Sequence, residues 1–407
     1  MSAPRTVIHA DHLLDVNAGT WSPDARLLVE DGRVVAILGT NDAAPTEAVT
    51  MTLPGSWVIP GLIDGHSHQV GDLEFAGVPA VSTSPAEEAL IGVRNARATL
   101  AAGFTTVRDV GSYRAFVDVA LQRAIDAGWT PGPRMQCAGA MITCPGGGGD
   151  VTGLARDVGI PSDLRLGVVR TPHEMRECVR TLIGGGAGVI KLIVTGAVLT
   201  RGTKIGFVEL DAPMIEAAVD EAWRQGIHVA AHAHGTEGIK VAIRAGVRSI
   251  EHGSLIDDEG IELLVSNGTY LVADVYDGDW IAGEGRRAGW PAETMAKNDA
   301  TTQAQRDGFA RAVQAGVRIA FGTDSGVYPP GMNAIQFGYQ VRLGQSPLEA
   351  IRSATTVGAE MMGWDDRVGT LQPGRFADLV AYGADPTDDI ETLRAPRAVV
   401  KGGELAR

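Results

Sequence analysis

Residues 228–254, HVAAHAHGTEGIKVAIRAGVRSIEHGS, contain one full strand–helix–strand repeat, and their reading decides the fold. His228–Ala231 is a short apolar run, Thr236–Ala245 carries apolar residues at helical spacing, and Ser249–Ile250 starts a second run. Histidines close both runs: His232 and His234 the first, His252 the second. A strand points residues i and i+2 to one face, so His232 and His234 stand side by side where their strand ends.

The same rhythm continues in both directions. Apolar runs at Trp57–Ile63, Thr105–Val110, Met135–Ile142, Val189–Val194, Thr269–Val272 and Val317–Phe321 alternate with helical segments at Ala86–Ala102, Ala115–Ala127, Pro172–Ile183, Ala212–Gln225, Asp258–Ser266 and Ala300–Ala315. Repeated β-then-α units predict an α/β fold with a parallel sheet and helices outside it. The eight runs match a closed (β/α)8 TIM-like barrel better than an open doubly wound sheet. Both chain ends are different. Asp31-Gly32, between Ala25–Glu30 and Arg33–Leu38, is a hairpin signal, and Gly369–Val380 and Pro396–Val400 return to β character. The predicted organisation is a small β-sandwich made of residues 1–56 plus 366–407, with a catalytic barrel of residues 57–365 inserted in it.

Composition narrows the function. The 407 residues carry 35 Lys+Arg against 49 Asp+Glu, a net charge of −14. That balance argues against a nucleic-acid or anionic-membrane surface, and the predicted partner is a small-molecule substrate. No stretch approaches ~18 uninterrupted apolar residues, and the first residues lack a signal-peptide pattern. Cys137, Cys144 and Cys178 have neither metal-ligand spacing nor the count for a disulfide framework, so a reducing, cytoplasmic setting is expected. A homo-oligomer is compatible with the sequence.

The chemistry gathers at strand ends. A second His-x-His pair, His66 and His68 in GLIDGHSH, also closes an apolar run. Nine histidines in 407 residues give about 0.2 such pairs by chance, so two pairs require an explanation. Barrel active sites are built at the C-terminal ends of the strands, and paired imidazoles there favour a metal site. His252 in SIEHGS and Asp324 in IAFGTDSG sit at equivalent places. Asp324 either caps the next helix or binds metal and acts as a base. Lys191 interrupts the apolar strand of VIKLIVTGAV, where a buried ammonium must be paired or chemically changed. It either snorkels to solvent or carries a carbamate formed with CO2, which would serve as an anionic bridge between two cations. Tyr276 is a candidate at the rim and Arg201 a candidate cation for a substrate carboxylate. Trp280 and Trp290 are further rim elements. His9, His12, His173 and His228 read as structural, with His228 deeper in the sheet. The glycine run 146–149 reads as a mobile loop.

His66-x-His68, Lys191, His232, His252 and Asp324, in this order and at these strand ends, resemble the amidohydrolase superfamily. VIKLIVTGAV (189–198), the 228–254 segment and YLVADVYDGDWI (270–281) are most similar to its imidazolonepropionase-like branch, which includes prolidase-like dipeptidases, carboxypeptidases and ochratoxinase-type amidases. The tail GTLQPGRFADLVAY is similar to the segment that commonly closes these chains. The resemblance implies two divalent metal ions, zinc being the expected metal for this donor set. His66, His68 and Asp324 would hold the more buried ion, His232 and His252 the other, with N6-carboxylated Lys191 bridging. His234 would contact substrate or transition state. Gly148 stands where relatives often carry a histidine in a glycine-rich loop. The implied activity is hydrolysis of an amide or peptide C–N bond in a dipeptide or N-acyl amino acid. An activated hydroxide would attack, Asp324 would carry the proton, and His234 with Tyr276 would face the developing oxyanion. Carbamate or urea hydrolysis, cyclic-amide opening and ring deamination are alternatives for the same site, although superfamily deaminases generally use one metal and no lysine carbamate. A non-enzymatic barrel would leave a complete ligand set idle.

Overall fold

In the computed structural model, which describes residues 5–39, 42–43, 45, 47–71, 80–155 and 157–406, the expected Asp31-Gly32 turn forms. Both residues are left-handed, with φ of 50° and 73°, as a two-residue turn matching strand twist requires. The turn joins strand β2 (Thr20–Glu30) to β3 (Arg33–Leu38). These strands lie beside β1 (Thr6–Asp15), and β1 pairs in parallel with β4 (Val49–Pro60). The C-terminal strands β13 (Leu379–Tyr382), β14 (Ala398–Lys401) and β15 (Glu404–Leu405) complete a seven-stranded sheet in the order β15-β14-β13-β4-β1-β2-β3. Both chain ends thus share one sheet, whose buried face includes Ile8, Leu27, Val58, Leu379 and Val400.

The central part of the chain forms two parallel sheets. One has the order β5 (Leu62–Ser67), β6 (Phe104–Asp109), β7 (Arg134–Cys137). The other runs β12 (Tyr270–Val272), β11 (Ser249–His252), β10 (His228–Ala233), β9 (Val189–Ile193), β8 (Met141–Ile142). The first expected run is divided. Trp57–Pro60 pairs with β13 in the chain-end sheet, and only Leu62 onward joins β6.

A continuous eight-stranded ladder is not formed among the described residues. The run Met135–Ile142 breaks at Gly139, whose φ is 77°. Val317–Phe321 keeps a single parallel pairing, Leu271 with Ile319. That segment nevertheless lies between β12 and β5. Leu271 N donates to Arg318 O at 3.0 Å, and Gly65 N donates to Phe321 O at 2.8 Å. The run ends where only glycine fits: a Cβ on Gly322 would meet Val272 Cγ1 at 2.3 Å and His66 Cβ at 2.8 Å.

The helices α1 (Pro85–Ala101), α2 (Val117–Asp126), α3 (Pro172–Gly185), α4 (Ala212–Trp223), α5 (Thr236–Arg244) and α6 (Asp258–Asn267) follow their predicted segments closely. α7 (Asp277–Ala288) was not anticipated, and α8 (Ala292–Gln314) starts earlier than expected. Short helices α9 (Ile335–Arg342), α10 (Pro347–Ser353) and α11 (Thr356–Met362) follow. Alternate strand residues Ile190, Leu192, Val229, Ala231 and Ile250 pack outward against Val179, Ile215, Ile239 and Leu264 of the helices. The intervening positions are therefore free to carry polar groups inward. No helix among the described residues is long and apolar enough to cross a membrane, and the three cysteines are free thiols.

Arg134 at the start of β7 ties the two layers together. Its guanidinium holds Asp378 through bonds of 2.7 and 3.0 Å and stacks 3.4 Å from the Phe376 ring. Asp378→Ala is expected to lower unfolding free energy by roughly 1.5–3 kcal/mol, the usual range for a hydrogen bond to a charged group, as read by urea denaturation.

Candidate metal centre

The register of the parallel strands arranges the site in rows. Lys191 lies beside Ala230, and Ala230 beside Ser249. One row higher stand Ile193, His232, Glu251 and Val272. His234 and His252 lie beyond them at the strand ends. His252 follows Glu251 directly, yet both reach the site, because His252 is left-handed with φ 68°. Asp324 is left-handed as well, with φ 54°, and its N–H donates to His66 O at 2.8 Å. Non-glycine residues seldom adopt this conformation, and it recurs where a side chain must be re-aimed at a functional site.

The predicted ligands converge. Ring centres are 5.5 Å apart for His66 and His68, 4.8 Å for His66 and His252, and 4.5 Å for His232 and His252. Asp324 Oδ1 lies 3.5 Å from His66 Nε2 and 3.2 Å from His68 Nε2. The donor atoms of His66, His252 and Asp324 lie within 4.8 Å of one another, as do those of His232, His234 and His252. His234 is thus near enough to share a cation with His232 and His252.

The other ring nitrogens are held by the protein. His66 Nδ1 meets Glu251 Oε2 at 2.8 Å, His68 Nδ1 meets Gly111 O at 2.6 Å, and His252 Nδ1 lies 2.9 Å from both oxygens of Asp274. Such partners fix the tautomer and leave Nε2 to face a cation. Glu251 is held in turn by Arg108 at 2.8 Å, and Arg108 also reaches Gly65 O at 2.6 Å and Ser249 Oγ at 3.0 Å. Sequence reading missed Arg108, Glu251 and Asp274. Arg108 carried a usable signal, since it interrupts an apolar strand just as Lys191 does.

Two observations test whether this donor set fits metal. Lys191 Nζ and His232 Nε2 are buried without a hydrogen-bond partner, a condition that costs roughly 1–3 kcal/mol per group. Most ionisation states also suit ligation, which needs neutral imidazole and ionised carboxylate; His68 differs, because burial would lower it but Asp324 beside it holds it above the ordinary imidazole range. Burial, with Lys191, holds His66 down at about 4, and burial with His252 holds His234 at about 3. Burial and the neighbouring His252 and His234 keep His232 well below the ordinary range. Burial alone would raise Asp324, but the imidazoles of His66 and His68 hold it below the usual carboxylate range. Burial pushes Lys191 down to about 8. The set fits divalent cations.

The ligands form the floor of a pocket of about 150 Å3, with walls that include Tyr113, Met141, Val198, Leu199, Ile281 and Val327. Gly148 lines it too, and no imidazole fits there. A Cβ on Gly148 would lie 2.9 Å from Ile193 Cγ2 and 3.1 Å from Ala197 Cβ. Tyr276 is not among the lining residues; its ring packs 5.1 Å from Tyr328 and 5.4 Å from Tyr339 at the start of α7. Its neighbour Asp277 faces the pocket instead. Arg201 is exposed and does not line the pocket. His12 stacks 3.9 Å from Trp57, and His173 is exposed. His228, expected deeper in the sheet, is exposed at the opposite end of its strand.

Comparisons with known proteins find relatives over nearly the whole chain. The amidohydrolase family model matches residues 57–406. Ochratoxinase from Aspergillus niger is 32% identical over 424 residues, covering 98% of this chain and 86% of that protein. A Xaa-Pro dipeptidase solved with methionine in its active site superposes with a TM-score of 0.92 at 34% identity, covering 98% of this chain and 99% of the other. A prolidase complexed with N-methylphosphonate-L-proline gives 0.90 at 29% identity, with 98% and 99% coverage.

Lys191 has a signature of its own in the metal-free protein. Its pKa is lowered in the fold, so the unfolded chain binds the extra proton between about 8 and 10.5. Stability should therefore rise with pH through that window, by on the order of 3 kcal/mol in total. Urea midpoints measured across this window should climb, and Lys191→Met should flatten the slope.

Proposed function

The chain belongs to the amidohydrolase family, whose members include hydrolases acting on C–N bonds, and from that premise we propose that it cleaves the amide bond of dipeptides or N-acyl amino acids with a pair of divalent cations. The observation that carries this reading is Lys191. A primary amine, buried and unpartnered, lines the same pocket as both groups of candidate ligands. Its lowered pKa leaves a neutral fraction near pH 8, the form that reacts with CO2. His66, His68 and Asp324 would hold one cation and His232 and His252 the other, and Lys191, once carboxylated, would supply an anionic ligand to the pair. Zinc suits this donor set.

When bound, the cations supply Lewis acidity and lower the pKa of water. The chain's own groups do the rest. Asp324, ionised at neutral pH, accepts the proton of the attacking water and returns it to the leaving nitrogen. His234 Nδ1 lies 2.7 Å from Ser254 Oγ. With the hydroxyl donating, Nε2 carries the proton and faces the developing oxyanion. Tyr276 packs away from this pocket, so we assign it no proton. The two parallel sheets and the 317–325 segment read together as one (β/α)8 barrel. It spans about residues 57–365 and is inserted in the sheet of 1–56 plus 366–407, with β4 passing through the boundary to Pro60. Free thiols support a reducing, cytoplasmic setting.

One observation favours a second reading. Among the described residues lining the inner pocket, Lys191 is the only lysine or arginine, so no guanidinium is placed there for a substrate carboxylate. Neutral carbamates and ureas fit that chemistry and belong in the same screen.

Amine release from a panel of dipeptides, N-acyl amino acids, carbamates and ureas tests the reading. The protein should be produced with zinc and bicarbonate and compared with a chelator-treated control. Chelator-sensitive release from the amides is expected; release from carbamates or ureas alone selects the second reading. Lys191→Ala should lose metal and activity together, and Asp324→Asn should abolish turnover. His234→Asn should keep both metals and lower kcat by roughly 100-fold, the scale of a lost oxyanion donor. Loss of one metal in His234→Asn would instead make it a ligand.

A further inference from the structure

Residues 194–211, between β9 and α4, form no helix and no extended strand, yet part of this loop walls the metal centre. Ala197, Val198, Leu199 and Thr200 all line the inner pocket. A lone antiparallel bridge, Thr195 with Val208, closes the base of the loop. A Cβ on Gly235 would meet Gly206 O at 2.7 Å, so the returning chain lies directly against the residue after His234.

A loop without ladder bonds must find its donors elsewhere. Here they come from α8, nearly a hundred residues on. Lys297 Nζ lies 2.8 Å from Thr200 O and 3.4 Å from Ala197 O. Thr203 Oγ1 lies 3.0 Å from the same two oxygens and accepts from Ala197 N at 3.2 Å. One helical turn before Lys297, Glu293 accepts from Gly202 N at 2.8 Å and meets the Lys297 ammonium at 2.8 Å. Only 10% of the Lys297 side chain is exposed. Glu293 and Lys297 lie in the stretch by which α8 begins earlier than its apolar pattern predicts, so those extra turns have a task. The loop is tied on its other side too. Thr200 Oγ1 donates to Gly148 O, and Gly148 N donates to Glu209 Oε2 at 2.7 Å. Hydrogen bonds from an ammonium are stronger than neutral ones, and removing this one would leave main-chain carbonyls unpaired.

We propose that Lys297, braced by Glu293, is a positioning residue. It latches the 197–203 loop so that Val198 and Leu199 set an upper limit on the size of the group bound beside the metal ligands. This rests on the amide-hydrolase reading of the inner pocket, and the test separates the two.

The first readout needs neither metal nor substrate. Amide exchange of peptides covering 197–203, followed by mass spectrometry, should quicken roughly tenfold in Lys297→Met and in Glu293→Ala while β9–β12 stay protected. The second readout is calorimetric binding of two hydroxamates to the zinc-loaded enzyme. The Kd of cyclohexanecarbohydroxamate over that of acetohydroxamate should exceed one in the wild type. That ratio should fall roughly tenfold in both variants, the scale on which a displaced wall is felt, and be retained in Lys297→Arg. Glu293→Ala, at an exposed position, carries the test if Lys297→Met does not fold. Unchanged exchange, or a hydroxamate ratio that does not move, overturns the latch and leaves the amidase reading standing. Faster exchange and a lowered ratio, without hydrolysis of any amide, support the latch and remove the amidase reading.

Discussion

Lys191 Nζ is buried at the centre of a polar cluster with no hydrogen bond of its own, and the groups around it are arranged to keep it so. Glu251 would be its natural partner. Glu251 is instead committed to Arg108 at 2.8 Å and to His66 at 2.8 Å. Burial would raise its pKa, but the Arg108 guanidinium and the His66 imidazole hold it below the usual carboxylate range. Arg108 also adds positive potential at Lys191. Desolvation therefore prevails over the nearby carboxylates, and the amine falls to about 8. A lysine satisfied by Glu251 would remain an ammonium. One left as observed is poised for chemistry.

This arrangement depends on the strand register. Ile190 and Leu192 face the helices while Lys191 faces inward, so a shift of one residue would exchange them and bury the amine in the apolar layer. The chain-end sheet restrains the site as well. β4 leads into β5 through Gly61, where a Cβ would meet Thr105 Oγ1 at 2.1 Å, so the strand carrying His66 is continuous with one from the outer sheet. The Arg134–Asp378 pair closes the same interface from β7.

The sequence made the α/β rhythm, the chain-end β structure and the convergence of His66, His68, Lys191, His232, His252 and Asp324 legible, because each rests on period-2 alternation or on a polar residue interrupting an apolar run. It did not reveal that Glu251 and His252, adjacent in the chain, both reach the site. That depends on a left-handed His252, and no local signal demands one there. The close approach that requires glycine at 322, at the end of the eighth run, comes from Val272 and His66, distant in sequence. Tyr276 and Arg201 were selected by position after a strand. Loop residues lack the alternation that fixes direction, and neither is among the residues lining the inner pocket. Gly148 reads in the sequence only as a departure from the family's pattern, while the space there is limited by Ile193 and Ala197, which a Cβ would meet at 2.9 and 3.1 Å.

The central claim is a two-cation site bridged through Lys191. The metal-to-protein ratio of enzyme produced with zinc and bicarbonate tests it most directly. Two zinc ions per chain are predicted, together with a carbamate carbon signal on Lys191 when the bicarbonate is 13C-labelled. One ion or none per chain, in protein that hydrolyses amides at full rate and shows no labelled lysine, would contradict the account.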